Sequence, residues 1–202
     1  MNFIFKWIKY GLGMFFFKIQ GWKCDIIPKE IGEKYVLIGF PHNTNMDAPF
    51  GVGFSFVNRI QTSPMIKKEW MFWPMSIIFK LMKVMPVDRS AAGGMVGQVA
   101  DEFSKREKFI PVVFPEGTRS EVRKIKTGFW HIADKANVPV VLLYKDGRKK
   151  HLLILGHMFT GTSKKDDLIK ISDIYREAGY EIPLAGVFHE NSGMEGFDKK
   201  AA

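Results

Sequence analysis

His42 and Asp47 close the string His42-Asn-Thr-Asn-Met-Asp47, an imidazole and a carboxylate with four residues between them. If the backbone turns there, the carboxylate binds one ring nitrogen, fixes the tautomer, and leaves the other nitrogen as a base near neutral pH. A second string, Phe114-Pro-Glu-Gly-Thr-Arg-Ser120, gathers a carboxylate, a glycine, a hydroxyl and a guanidinium. Arg119, helped by Thr118, can grip a phosphate bidentately. Gly117 lets a ligand approach the backbone, and Glu116 is a candidate partner for an acceptor hydroxyl. A base beside a phosphate clamp outlines a catalytic site.

Such groups must be held by rigid elements. Residues 35–40 form a continuous apolar run, the pattern of a strand buried on both faces, and His42 follows it directly. Asn43, Thr44 and Asn45 can cap a helix beginning near Met46, which brings Asp47 into its first turn. Residues 109–114 read as a second buried strand that delivers Pro115 and Glu116 to a loop. Further strands are expected at 60–66, 85–87, 138–144 and 152–155. Helices are expected at 70–82, 95–108, 127–137 and 164–178, and a polar connector over 25–34. Strands alternating with helices predict an α/β layer architecture, a central mixed or mostly parallel sheet flanked by helices. Active sites in such sheets lie where strand ends open onto helix N-termini.

Composition narrows the partners. The 202 residues suit one domain, read as residues 23–202, preceded by an N-terminal interfacial helical segment over residues 1–22. A net charge of +9 calls for an anionic partner, and 18 Phe, 11 Met and 5 Trp beside 30 basic residues favour a membrane surface, with anionic lipid, over nucleic acid. No helix-turn-helix, zinc-finger or ribonucleoprotein motif supports a nucleic acid. In residues 1–22, Phe3, Trp7, Tyr10, Met14 and Phe17 recur at helical spacing, while Lys6, Lys9, Gly13 and Gln20 collect on another side. That pattern suits an amphipathic helix in the headgroup layer, and the same periodicity suits a helix docked on the protein's own core. The longest stretch without Asp, Glu, Lys or Arg runs over residues 151–163, short of the roughly 18 apolar residues a membrane span needs. Cys24, the only cysteine, cannot form an intramolecular disulfide and reads as a small packed side chain. No metal is expected, since no His-Glu-x-x-His or Cys-x-x-Cys spacing occurs, and the glycine pairs lack a nucleotide-loop ending. The apolar stretch 70–82 can either shape an apolar groove or belong to the core.

The two strings occur in order with two weaker blocks, Lys67-Lys-Glu-Trp70 leading to Pro86-Val-Asp-Arg89, and Val138-Pro-Val-Val-Leu-Leu143. Together they resemble the glycerophospholipid acyltransferase family, which includes the lysophosphatidic acid acyltransferases. The seven-residue second string is the specific part of the match; Pro41 stands before the histidine where many members carry Asn. The resemblance implies an O-acyltransferase that takes a fatty acyl group from acyl-CoA or acyl carrier protein, needing no resident cofactor. The implied acceptor is the hydroxyl of a lysophospholipid such as 1-acylglycerol 3-phosphate. His42 is then the general base and Asp47 its orienter, with the substrate hydroxyl in the place of a hydrolase serine. No Gly-x-Ser-x-Gly elbow surrounds Ser120, which favours direct attack. The resemblance also sets Lys67 and Arg89 near the acceptor's anionic group. The expected location is peripheral, on the cytoplasmic face of a membrane. Two other readings stay open: a thioesterase or ester hydrolase using the same His-Asp pair on water, and a non-catalytic membrane lipid-binding protein on the same scaffold.

Overall fold

The structure is a computed structural model describing residues 3–88, 94–118, 120 and 122–184. Its centre is a seven-stranded sheet ordered β1-β7-β6-β2-β5-β3-β4. The strands are β1 (Lys23–Cys24), β2 (Val36–Phe40), β3 (Thr62–Lys67), β4 (Met85–Val87), β5 (Ile110–Val113), β6 (Val140–Asp146) and β7 (His151–Met158). All neighbours pair in parallel except β6 and β7, an antiparallel hairpin. The helices are α1 (Phe3–Gln20), α2 (Asp47–Val57), α3 (Met75–Leu81), α4 (Gly94–Lys105), α5 (Gly128–Ala136) and α6 (Lys164–Glu177). The expected α/β architecture, a mostly parallel sheet flanked by helices, is the one observed.

β2 lies in the middle and is buried along its whole length. Its side chains alternate between two cores, as the two-residue period of a strand requires. Val36, Ile38 and Phe40 pack with Phe103 of α4, Phe129 and Ile132 of α5, and Leu168 and Tyr175 of α6. Leu37, with Tyr35 just before it, packs on the other face with Phe17 of α1 and Phe50, Phe54 and Val57 of α2. Coverage on both faces is why the sequence shows an unbroken apolar run there rather than an alternation.

The connector over 25–34 is preceded by β1, a two-residue strand on the edge of β7 that is too short to leave a hydrophobic pattern in the sequence. The helix expected over 70–82 is shorter: a 3-10 turn covers Lys68–Trp70, Pro74 caps the N-terminus of α3, and none of the α3 side chains is buried. Proline lacks the N–H that helix interiors need, so the helix starts after it. α1 is a helix as expected, but its aromatic stripe is divided: Phe17 and Tyr10 turn toward the protein, while Trp7 and Met14 face outward.

Gly13 and Phe17 are the buried positions of α1, with Lys6, Lys9, Tyr10, Phe16 and Gln20 half-buried around them. Ile4, Phe5, Trp7, Ile8, Leu12, Met14, Phe15 and Ile19 face outward. The helix is apolar almost all round, so spacing alone does not choose its inner face; a close crossing with α2 does. A Cβ on Gly13 would lie 2.9 Å from Phe56 Cβ and 3.0 Å from the Gly53 carbonyl oxygen. A Cβ on Gly53 would lie 2.9 Å from the Phe16 ring. The two lysines run their stems along this interface, the Lys9 ammonium sitting 5.5 Å from the Phe56 ring centroid. Beside them Arg59 lies over Trp7 at 3.8 Å and Tyr10 at 4.5 Å. Gly13→Ala is therefore expected to destabilise the fold by about 1–3 kcal/mol through overpacking. An unchanged midpoint in thermal or urea denaturation would show that α1 shifts to accept the methyl group. Among the described residues, no helix is long and apolar enough to cross a membrane.

Candidate active site

The strand ends bring the motif residues to one edge. β2 pairs with β6 through Phe40 and Tyr144, and with β5 through Ile38 and Val113, so the carboxyl ends of all three strands open at the same edge. His42 leaves β2, Glu116 follows β5, and Lys145 continues β6 at that carboxyl edge. The chain runs to one side of β2 for β3 and β4 and crosses to the other for β6, so this edge is the switch point of the sheet. Lys67 closes β3 at the same edge and is exposed.

His42 and Asp47 meet. The Nδ1 atom lies 2.9 Å from Asp47 Oδ2. Nδ1 is buried and has no other partner, and the ring sits off the line of a well-aligned hydrogen bond, so a small rotation is needed to complete it. Such loosely aligned contacts are usual in sites without substrate. The ring stacks on Phe114 at 4.0 Å between centroids and 18° between planes. Gly39 makes this possible, since a Cβ there would come within 3.1 Å of the Phe114 ring. About a fifth of the His42 side chain stays accessible, and the buried Nδ1 leaves the opposite side of the ring as the approach.

Asp47 opens α2, but the capping differs from the sequence reading. The helix N-cap is Met46, whose side chain makes no cap bond. Instead the carboxylate reaches back: the Thr44 N–H donates to Oδ2 at 3.1 Å and the Thr44 hydroxyl donates to Oδ1 at 2.8 Å. The Lys145 ammonium also donates to Oδ1. Burial alone would raise this carboxyl. The contacts with His42, Lys145 and Thr44 outweigh it and hold Asp47 well below the usual carboxylate range. Asp47 is thus a carboxylate at any pH where the protein works.

Glu116 braces the site from the other side. Its Oε2 accepts the His42 backbone N–H at 2.6 Å, and its Oε1 accepts the Tyr180 hydroxyl at 2.7 Å. Tyr180 is itself wedged against Phe40 and Tyr144, at 5.7 and 5.8 Å between ring centroids. Burial and the Glu116 carboxylate push its hydroxyl further from ionisation. Gly117 has φ +68, and a Cβ there would meet the Lys126 side chain at 2.7 to 2.9 Å. The turn therefore uses both the conformational freedom and the small size of glycine. Thr118 is exposed, its hydroxyl accepting the Ser120 N–H at 3.3 Å. Arg89 and Arg119 lie outside the described residues. Lys145, Tyr180 and Phe114 are the site residues that the sequence reading passed over.

A cavity of about 450 Å³ begins at His42 and Asp47 and runs between α2 and the sheet. Its walls are mostly apolar: Phe50 and Phe54 of α2, Ile66 of β3, Val112 of β5 and Leu143 of β6. Phe79, Leu81 and Met82, from the stretch read as either groove or core, border it, and so do Lys6 and Lys9 of α1. The Ser55 and Thr62 hydroxyls in its wall bond to each other at 2.8 Å. A second depression of about 640 Å³ lies at the amino edge of the sheet and contains none of the candidate site residues.

The acyltransferase family model matches residues 24–144, more than half of the chain. The crystal structure of the 1-acyl-sn-glycerophosphate (LPA) acyltransferase PlsC from Thermotoga maritima superposes with a TM-score of 0.57 and 17% sequence identity. The match covers 86% of this chain and 78% of that one, and at this identity it speaks for the fold. No curated protein matches the chain.

Proposed function

The chain belongs to the acyltransferase family, and we propose that it transfers a fatty acyl group from acyl-CoA or acyl carrier protein to the hydroxyl of a lysophospholipid. The observation that carries this reading is an imidazole in contact with a carboxylate at 2.9 Å, at the head of an apolar cavity. Either alone is commonplace; together they set a base where the end of an acyl chain would lie.

His42, oriented by Asp47 through Nδ1, takes the proton of the acceptor hydroxyl on Nε2 as the oxygen attacks the thioester carbonyl. The tetrahedral intermediate collapses, the carbon–sulfur bond breaks, and the thiolate leaves with the proton returned by the imidazolium. The base is thereby regenerated. The acceptor is read as a phosphorylated one, 1-acylglycerol 3-phosphate being the first choice, because Arg119 and Thr118 follow Glu116 directly and Lys67 stands at the same edge. A fatty chain fits the cavity between α2 and the sheet. α1 and α3 border the same cavity through Lys6, Lys9, Phe79 and Leu81, and the outward apolar face of α1 and the side chains of Trp70, Trp73, Ile77 and Leu81 are exposed. They support docking on the surface of one bilayer leaflet, where the lipid acceptor would be met.

Purified protein given labelled palmitoyl-CoA and a panel of lysophospholipids is expected to yield the diacyl product, read by mass spectrometry. The phosphorylated acceptor is expected to be preferred over an uncharged monoacylglycerol. Free fatty acid as the only product would replace transfer by hydrolysis, with water taking the acceptor's place.

A further inference from the structure

We propose that Lys145 is a positioning residue for the His42–Asp47 pair, its ammonium fixing the Asp47 carboxylate so that Oδ2 faces the imidazole. This rests on the reading of His42 as the base. Lys145 follows the residue of β6 paired with Phe40, which sets its stem beside the loop that carries His42. Its ammonium donates to Asn43 Oδ1 at 3.0 Å, to Thr44 Oγ1 at 3.2 Å and to Asp47 Oδ1. All three acceptors belong to the His42–Asp47 string, and the side chain is only 12% exposed.

An ammonium has three protons, and all three are used inside the protein. Lys145 lines the cavity, yet it has no proton left for a substrate phosphate. Holding the loop is the role left. The Thr44 hydroxyl lies 2.8 Å from the same Oδ1. The carboxylate is thus pinned through one oxygen while the other, 2.9 Å from Nδ1, is presented to the ring.

The charge matters as much as the geometry. A base must be unprotonated to act, and a bare carboxylate beside an imidazole favours its protonated form. The positive charge of Lys145 offsets that pull. Among the described residues, the other ionisable groups around His42 are Glu116, which accepts its backbone N–H, Tyr180 behind Glu116, and Lys126 across Gly117. None of them contacts Asp47, so replacing Lys145 changes a single neighbour of the carboxylate.

The test uses the full chain with palmitoyl-CoA and 1-oleoylglycerol 3-phosphate, comparing Lys145→Met, Lys145→Arg and His42→Ala. Lys145→Met is expected to lower kcat roughly 10- to 100-fold with little change in KM, and to move the acid limb of kcat/KM up by about one pH unit. Lys145→Arg keeps the charge but not the three-proton geometry. It is expected to leave the acid limb in place and recover part of kcat. An unmoved acid limb in Lys145→Met, or a loss confined to KM, overturns positioning by Lys145. If methionine prevents folding, Lys145→Gln, which keeps amide donors without the charge, is read by the same criteria. An inactive His42→Ala beside an unshifted Lys145→Met leaves the base standing and removes only Lys145's role. An active His42→Ala removes both.

Discussion

His42→Ala is expected to lower acyl transfer by about 100- to 10,000-fold, the usual contribution of a positioned general base, and to leave the fold intact. The fold survives because Glu116 holds His42 through its backbone N–H, which alanine keeps. Only the contact with Asp47 and the stack on Phe114 are lost. Asp47→Asn is expected to damage turnover similarly, for a different reason. An amide can turn its NH₂ toward Nδ1 and so select the wrong tautomer. It also leaves the ammonium of Lys145, nearly buried, without its anion. Breaking a buried pair by removing one partner costs about 3–5 kcal/mol, so Asp47→Asn should lower Tm where His42→Ala does not. The pH behaviour follows from the same groups. With its pKa held down in the folded state, Asp47 contributes stability that is fully present above the usual carboxylate range and lost only as pH falls toward its lowered value. Protonation of Asp47 is therefore not expected to set the acid limb of activity. Near-normal turnover in a folded His42→Ala protein, with an unchanged acid limb, would remove this base from the mechanism.

What could be read from the sequence was local in the chain. The apolar run before His42, the helix start at Asp47 and the strand before Glu116 each depend on neighbouring residues, and each is found where its pattern predicts. The meeting of His42 with Asp47 was legible for the same reason, since only four residues must turn. Lys145 was not legible. It reaches Asp47 from the start of a charged turn, 98 positions along the chain, and from sequence it resembles any solvated lysine. Tyr180 lies beyond α6 and reaches Glu116 only because the sheet has already placed β5 beside β2. Periodicity was weakest in α1. When a helix carries apolar residues on nearly every side, steric fit rather than hydrophobicity chooses the inner face. Here the fit is Gly13 against Gly53. Glu116 illustrates a subtler gap: the sequence offers a free carboxylate to the substrate, whereas both oxygens already accept protein hydrogen bonds. An acceptor hydroxyl would have to share an oxygen through a second lone pair.

The burial of Phe17 also changes how membrane binding must be tested. Deleting residues 1–22 would take Phe17 out of the core and uncover Phe50 and Phe54, so loss of binding by a truncated chain would not be separable from unfolding. Substitutions on the outer face avoid this. Ile8 and Leu12 are about half exposed, one helical turn apart, and belong to neither core cluster. Ile8→Glu with Leu12→Glu should therefore leave Tm almost unchanged, as surface substitutions away from packed features do. In a bilayer interface each side chain contributes roughly 1.5–3 kcal/mol on burial, so losing both should weaken vesicle partitioning about 100-fold or more. Lysine attraction to anionic lipid adds a second, salt-sensitive part. Wild-type protein should bind phosphatidylglycerol vesicles better than phosphatidylcholine vesicles, the gap narrowing as salt rises, while the apolar part persists. The double variant should keep its turnover on short-chain acceptors dissolved as monomers, because the cavity and the His42–Asp47 pair are untouched. Wild-type vesicle binding by the folded double variant would move membrane attachment off α1 and onto the exposed stretch around Trp70, Trp73 and Leu81. Charges placed there would then have to abolish it.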